Sequence, residues 1–217
     1  MRRCDASLHL FSALLDLSRA SRLFYAGRAE PLRQAVAAAR RNVETALRIR
    51  PGDPDGRVIL SSIHILSVPL ETWTDLWKPE DKEAMRRLRE TVAPFLRRAE
   101  QEAEAAIETV PHHVAAWVQL STLRSYRVQL ERNAESAEID AAVETCTRCL
   151  ALGLEPHLEA EVRSARAKMR AMRYTLRGMR GEADRRAAAE DVARLREIDP
   201  EELDEFDPVF RALEPPK

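Results

Sequence analysis

Two short apolar patterns recur along this chain at the same two intervals. The dipeptide Leu-Ser recurs at Leu17, Leu60 and Leu120, which are 43 and 60 residues apart. An alanine-rich pattern with helical spacing starts at three positions that are 60 and 43 residues apart, Val36, Leu96 and Ile139. The alanine-rich pattern precedes the next Leu-Ser pair by 24 residues both times. A constant interval across this junction predicts stacked helix pairs, because each repeat of such an array packs on its neighbours in the same way.

The composition agrees with a chain built only of helices. Its 217 residues include only 6 glycines and 5% aromatic residues, while 45% are hydrophobic. Such a chain lacks the glycine-rich turns and the aromatic strands that are typical of sandwiches, barrels and α/β sheets. We therefore predict an all-α fold, a right-handed α-solenoid of antiparallel helix pairs with about eight helices and a short C-terminal capping helix.

The junction between repeats resembles that of the tetratricopeptide (TPR) family. Two copies carry a small residue, a proline and a Leu-Ser pair in the same order: Ala39, Val43, Pro51 and Leu60 in one, and Ala99, Ala103, Pro111, Trp117 and Leu120 in the other. TPR junctions have small residues on the second helix, a proline, and a W-x2-L-G-x2-Y pattern on the next helix. The unit of 43 residues is longer than the TPR unit of about 34. It resembles the lengthened TPR regions that are attached to bacterial serine/threonine kinases.

The repeats predict the organisation of the chain. We expect one TPR-like domain over residues 1–198 and an acidic cap or tail over residues 199–217. The predicted helix pairs are 6–49, 55–109 with an insertion at 67–83, 112–152, and 157–197. No uncharged stretch reaches the ~20 apolar residues that a membrane span needs, and three cysteines do not suit a disulfide framework. We therefore expect a cytoplasmic protein without membrane contact, and nothing in the sequence indicates an oligomeric state.

The TPR resemblance implies a non-catalytic protein-interaction module or scaffold. The first helices of the pairs, at 14–25, 59–66, 117–127 and 163–180, would line a concave groove that holds a partner segment. Arg124, on the third of these helices, is one candidate for contacting a partner. The resemblance also suggests an accessory region of a bacterial signalling protein. No P-loop, G-x-S-x-G elbow or kinase motif occurs, so we expect neither enzyme activity nor a cofactor.

Cysteine and histidine residues offer little support for a metal site. Cys146 and Cys149 form a C-x-x-C, but they occupy positions where the other repeats have Val or Ala, which predicts that both point into the core. A zinc site needs four ligands, and only His157 lies nearby. We therefore predict no metal site. His64 lies on a predicted first helix, where it would contact a partner or lie at the surface.

The insertion contains two tryptophans, Trp73 and Trp77, which are four residues apart. One helical turn would place both rings on one face. They could anchor a partner, since tryptophan is enriched in binding hot spots, or they could cover the apolar side of residues 58–66. An alternative function is a helical small-molecule-binding or enzymatic domain with a pocket near His64, Trp73 and Trp77.

The sharpest feature is a stripe of arginines on the predicted helix 162–180. Six arginines follow each other at intervals of three and four residues, and no acidic residue occurs within this helix: Arg163, Arg166, Arg170, Arg173, Arg177 and Arg180. Side chains at this spacing lie along one side of a helix. We call these residues the arginine stripe.

Three roles for the arginine stripe are open. It could pair with the acidic tail over residues 199–217, or it could bind an acidic or phosphorylated segment of a partner protein through bidentate contacts. Binding to a nucleic-acid backbone is disfavoured, because the chain has 35 basic against 36 acidic residues and few aromatic residues for base stacking.

Overall fold

The computed structural model describes residues 2–73, 82–130, 136–176 and 181–199. The regular structure in these ranges is α-helical, without a strand. The helices are α1 (Arg2–Tyr25), α2 (Ala29–Ile49), α3 (Pro54–Leu66), α4 (Leu70–Trp73), α5 (Lys82–Thr109), α6 (Val114–Leu130), α7 (Ser136–Leu150), α8 (Pro156–Leu176) and α9 (Glu182–Ile198).

The prediction of an all-α fold is confirmed by these helices. The predicted pairs correspond to α1 with α2, α3 with α5, α6 with α7, and α8 with α9. Helix α4 is a single turn inside the predicted insertion. The right-handed superhelix and the single repeat domain over residues 1–198 stay predictions, and the predicted capping helix after Pro200 lies outside the described residues.

The chain divides into two compact units, Met1–Gln119 and Leu120–Lys217. We call them the N-terminal unit and the C-terminal unit. Among the described helices, none combines the length and the hydropathy that are required to cross a bilayer.

The core of the N-terminal unit combines small and branched residues from α1, α2 and α3: Ala13, Ala20, Leu32, Ala35, Val36, Ala39, Val43, Ile59 and Ile63. The alanines allow the helices to approach closely, while the branched side chains fill the space beside them. Ser61, from the second Leu-Ser pair, is buried, and its Oγ donates a hydrogen bond to the backbone oxygen of Ala99 at 2.8 Å. The serine of this Leu-Ser pair therefore lies at a close contact between α3 and α5.

In the C-terminal unit, α8 packs against both α7 and α9. One apolar cluster contains Val128, Ile139, Ala142, Val143 and Met169. A second cluster joins α8 to α9 through Ala167, Ala171, Tyr174, Ala188 and Val192. These contacts fix the rotation of α8 about its axis, and they place the arginine stripe beside α7 and α9.

Candidate functional site

Three arginines of the stripe converge on one carboxylate of α9. Asp191 is only 1% exposed. Its Oδ1 accepts hydrogen bonds from Arg163 Nη1 at 3.0 Å and from Arg166 Nη2 at 2.6 Å. Its Oδ2 accepts hydrogen bonds from Arg166 Nε at 2.9 Å and from Arg170 Nη1 at 2.7 Å. Arg166 therefore binds both oxygens in the bidentate geometry that suits a guanidinium group, and four charge-assisted hydrogen bonds reach a single buried side chain.

The stripe makes further contacts at both ends. Arg163 Nε donates to Glu159 at 2.8 Å, and Arg194 of α9 donates to the same carboxylate at 3.2 Å. Arg173 donates to Asp140 of α7 at 2.5 Å and forms an ion pair with Asp184 of α9. The side chains of the four described stripe arginines are 12–23% exposed. The stripe therefore connects α7, α8 and α9 within the C-terminal unit.

The electrostatics of this cluster follow from burial and charge. Burial lowers the pKa of Arg170, and the charge of Asp191 opposes this shift. The hydrogen bond from Arg163 holds the pKa of Glu159 below its usual range. The lowered pKa keeps Glu159 ionised near neutral pH, so this carboxylate is a fixed, paired charge rather than a general acid.

These contacts differ from the roles that the sequence suggested for the arginine stripe. The intramolecular alternative assigned the stripe to residues 199–217, whereas α9 supplies Asp184 and Asp191 to it. Neither aspartate was identified from the sequence. Their spacing could have indicated that both face the neighbouring helices, because residues seven positions apart lie on one side of a helix, here among the apolar positions of α9. Arg177 and Arg180 lie outside the described residues.

His64 is buried in α3 rather than at the surface, which corrects the sequence-based expectation. Burial, together with the charges of Arg40 and Arg98, lowers its pKa to about 4. At neutral pH the imidazole is uncharged. Its 9% exposure leaves little of the side chain available for contact with a partner.

Two other predicted contact residues are engaged within their own unit. The ring of Trp73 packs edge-to-face against Phe24 of α1, with ring centroids 6.0 Å apart. Trp73 therefore contacts α1, whereas the sequence suggested the apolar side of residues 58–66. Arg124 donates to Thr145 Oγ1 of α7 at 2.5 Å. Trp77 lies outside the described residues.

The N-terminal unit contains a cleft between α2 and the segment that joins α3 to α4, with a volume of about 440 Å³. Its lining is mainly apolar, with contributions from Leu32, Val36, Leu66, Val68 and Leu70. Three arginines and one acidic residue also line it: Arg33, Arg40, Arg41 and Glu71. We call this cavity the α2–α4 cleft. Part of the lining, residues 67–71, belongs to the predicted insertion. Neither His64 nor Trp73 lines the cleft.

The arginines of the α2–α4 cleft differ in their contacts. Arg33 forms an ion pair with Glu30 at 2.6 Å, and Arg40 Nη2 donates to Ser67 Oγ at 3.1 Å. Arg41 is exposed, and its side chain makes no ion pair within the described ranges. These arginines were not predicted from the sequence, because they lie on the second helix of a pair, whereas the groove was expected on first helices.

Comparison with known proteins gives a solved structure with a similar chain. No family model matches the sequence, and no curated protein matches it. The crystal structure of a thermophilic TPR protein from Thermus thermophilus is similar over 93% of this chain and 98% of that chain, with 19% sequence identity and a TM-score of 0.49.

Cys146 and Cys149 are free thiols, and both are fully buried. Burial raises the pKa of each thiol to about 12, so both stay protonated near neutral pH. A protonated, buried thiol is a poor nucleophile and a poor metal ligand. Within the described ranges, no group of three or more His, Cys, Asp and Glu side chains is arranged to hold a metal ion.

Proposed function

We propose that this chain is a non-catalytic protein-interaction module that binds an acidic, partly apolar segment of a partner protein in the α2–α4 cleft. The observation that carries this proposal is the combination of an apolar lining with three arginines and a single glutamate. A segment with alternating apolar and acidic side chains complements both parts of such a cleft. The described arginines of the stripe bind carboxylates of this chain. We therefore place the partner-binding site on α2 instead.

The two parts of the cleft contribute differently. Leu32 and Val36 of the cleft are already buried, so apolar side chains of a partner would cover mainly the exposed Pro69 and the half-buried Leu66 and Leu70. Removal of this apolar surface from water favours the complex. The exposed Arg41 would orient the acidic groups and raise the association rate. A role in bacterial signalling, a phosphorylated partner and a cytoplasmic location stay predictions from the sequence.

The test measures the binding of labelled peptides by fluorescence anisotropy. One peptide set carries Leu or Phe at every third or fourth position with Asp or Glu between them, and the matched set carries Lys in place of the acids. We expect only the acidic set to bind. Arg41→Glu should weaken binding at least ~10-fold, which corresponds to about 1.4 kcal/mol, and Ala37→Trp should block the cleft.

The control variant is Arg48→Glu, which reverses an exposed charge on the same helix outside the cleft. It should bind the acidic peptides like the wild type. Equal binding of the acidic and Lys sets, or equal losses for Arg41→Glu and Arg48→Glu, would contradict the proposal.

A second candidate function is the binding of a small molecule in the same cleft. Its volume of about 440 Å³ falls within the ~300–1,000 Å³ of small-molecule sites. A thermal-shift screen with small anionic, partly apolar compounds separates the two functions. A compound that raises the melting temperature of the wild type but not of Ala37→Trp, together with no peptide binding, would favour this alternative.

A further inference from the structure

The C-terminal residues of this chain have the composition of a ligand for the α2–α4 cleft. Residues 201–207 read Glu-Glu-Leu-Asp-Glu-Phe-Asp, with five acidic residues and no basic residue. Between the acids lie two large apolar residues three positions apart, Leu203 and Phe206. These residues lie outside the described ranges, so they enter here through their sequence alone. We call residues 201–207 the acidic segment.

Positive charge in the cleft is concentrated at one end of its lining. Arg33, near the start of α2, already forms an ion pair with Glu30. Towards the end of α2, Arg40 lies 4.0 Å from the exposed Glu44, and Arg41 makes no ion pair with another described residue. The described acids therefore leave positive charge uncompensated at the Arg40–Arg41 end, where an acidic segment is attracted.

The length of the lining matches the length of the acidic segment. Along α2 the lining runs from Ala29 to Arg41, which is about 18 Å at 1.5 Å per residue. Seven residues span about 20 Å when they are extended, at about 3.3 Å per residue. The single acidic residue of the lining, Glu71, acts on Arg33 and so belongs to the other end of the cleft.

The apolar part of the cleft provides a place for the two large side chains of the acidic segment. The exposed Pro69 and the half-buried Leu66 and Leu70 present apolar surface on the side of the cleft that faces α2. Leu203 and Phe206 can cover this surface and lose contact with water, which favours binding. Both parts of the cleft then have a complement within seven residues of sequence.

We propose that the acidic segment of a second copy of this chain occupies the α2–α4 cleft, and that an external partner must displace it. This inference rests on the proposed function, because it names one ligand of that site and a means of regulating it. Each copy carries one cleft and one acidic segment, so the contact is heterologous and joins copies head to tail. Occupancy of the cleft therefore rises with chain concentration, and dilution frees the cleft for other partners.

The connection between α9 and the acidic segment favours a second copy as its source. Helix α9 ends at Ile198, so only Asp199 and Pro200 separate the two. Two residues span at most about 7 Å, and proline restricts the backbone further. Within its own chain the segment is therefore confined to the neighbourhood of the end of α9. A second copy can present the same segment in any orientation, without this restriction.

The first experiment measures the average mass of the full chain by sedimentation equilibrium at ~1 to ~100 µM. We expect the mass to rise with concentration above the chain mass of 24.7 kDa. Leu203→Ser with Phe206→Ser changes no described helix and should weaken association at least ~10-fold, as should Arg41→Glu in the cleft. The control, Arg48→Glu, reverses an exposed charge of α2 outside the cleft and should associate like the wild type.

Mixing the two weakened variants tests which surfaces meet. The chain with Leu203→Ser and Phe206→Ser keeps its cleft, and the chain with Arg41→Glu keeps its acidic segment. An equimolar mixture should give a 1:1 complex of twice the chain mass that grows no further, because only one complementary pair of sites remains. A mixture that stays monomeric would overturn the proposal, as would a wild type that stays monomeric at ~100 µM.

A labelled peptide of residues 199–213 separates this inference from the proposed function. It should bind the chain with Leu203→Ser and Phe206→Ser, and the designed acidic peptides should displace it. If the designed peptides bind and this peptide does not, the second-copy inference is overturned while the proposed function stands. If neither binds, both are overturned.

Two other occupants would also be recognised by these measurements. Self-association that survives Leu203→Ser with Phe206→Ser would show that copies meet through another surface. Cleft occupation in a monomeric wild type, seen as weaker binding of the designed peptides than the Leu203→Ser, Phe206→Ser chain shows at every concentration, would place the segment in its own chain. Either result contradicts the head-to-tail contact.

Discussion

Asp191 joins three arginines of α8 to α9 in the C-terminal unit. It accepts four hydrogen bonds from three arginines and is almost completely buried. A buried carboxylate is stable only when it is paired, and its charge in turn compensates the partly buried guanidinium groups around it. Loss of this one negative charge leaves several partly buried positive charges beside each other.

We therefore predict that Asp191→Asn lowers the free energy of unfolding by about 3–5 kcal/mol, the usual loss when one partner of a buried ion pair is removed. Urea denaturation measures the change. The control is Glu190→Gln, which removes an exposed acidic charge next to it on α9. Similar stabilities of the two variants would mean that the cluster does not hold α8 to α9.

His64 predicts a pH dependence of stability. Its pKa falls from 6.5 to about 4 on folding because burial and two neighbouring arginines disfavour the imidazolium. The unfolded chain therefore binds a proton at a higher pH than the folded chain. Stability from this group is complete above the unfolded pKa of about 6.5 and is lost as the pH falls towards 4.

The wild type should lose about 2 kcal/mol more of its unfolding free energy than His64→Gln does between pH 7.5 and pH 5. Urea denaturation at both pH values gives this difference, so the baseline effect of the substitution itself cancels. His112→Gln changes an exposed histidine and should keep the wild-type pH dependence. Parallel pH profiles for the wild type and His64→Gln would refute this prediction.

At the scale of elements, α8 is held to its neighbours by both apolar packing and charge. Ala167 and Ala171 face Ala188 and Val192 of α9, while the arginine stripe lies beside this contact and binds Asp184 and Asp191. Small residues bring the two helices close, and this closeness allows guanidinium groups to reach carboxylates on the next helix. Packing and ion pairing therefore depend on one relative rotation of α8 and α9.

This arrangement predicts the effect of removing the acidic tail. A chain that ends after Asp199 keeps every carboxylate that the four described stripe arginines bind, so its unfolding free energy should stay within ~0.5 kcal/mol of the wild type. Thermal and urea denaturation at low and high salt measure this. A clear loss of stability that shrinks at ~1 M salt would show that the tail also pairs with exposed basic groups.

At the scale of the whole molecule, charge is balanced locally rather than concentrated. The chain has 31 arginines among its 35 basic residues, against 36 acidic residues. Arginine suits short, planar contacts with carboxylates, and the described ion pairs include helical pairs such as Arg86 with Glu90 and Arg148 with Glu144. A nearly neutral chain exerts little long-range attraction on nucleic acid. We therefore expect a partner to bind a small local surface, such as the site proposed in the α2–α4 cleft.

Most helix boundaries were predictable because apolar periodicity, prolines and glycines act locally. The predicted pair 112–152 corresponds to α6 (Val114–Leu130) with α7 (Ser136–Leu150), and the pair 157–197 corresponds to α8 (Pro156–Leu176) with α9 (Glu182–Ile198). The inward positions of Cys146 and Cys149 were predicted from their alignment with Val or Ala in the other repeats. The single turn of α4 was not predicted, since four residues carry no readable period.

The all-α class, the helix pairs and the arginine stripe could be predicted, because each depends on residues a few positions apart in the sequence. Contacts between distant helices were needed to show that Asp191 binds the stripe, that His64 is buried, and that Arg41 borders a cleft. These outcomes depend on how each helix is rotated against neighbours that are distant in sequence. That rotation is set by the combined packing of many side chains, which no local pattern specifies.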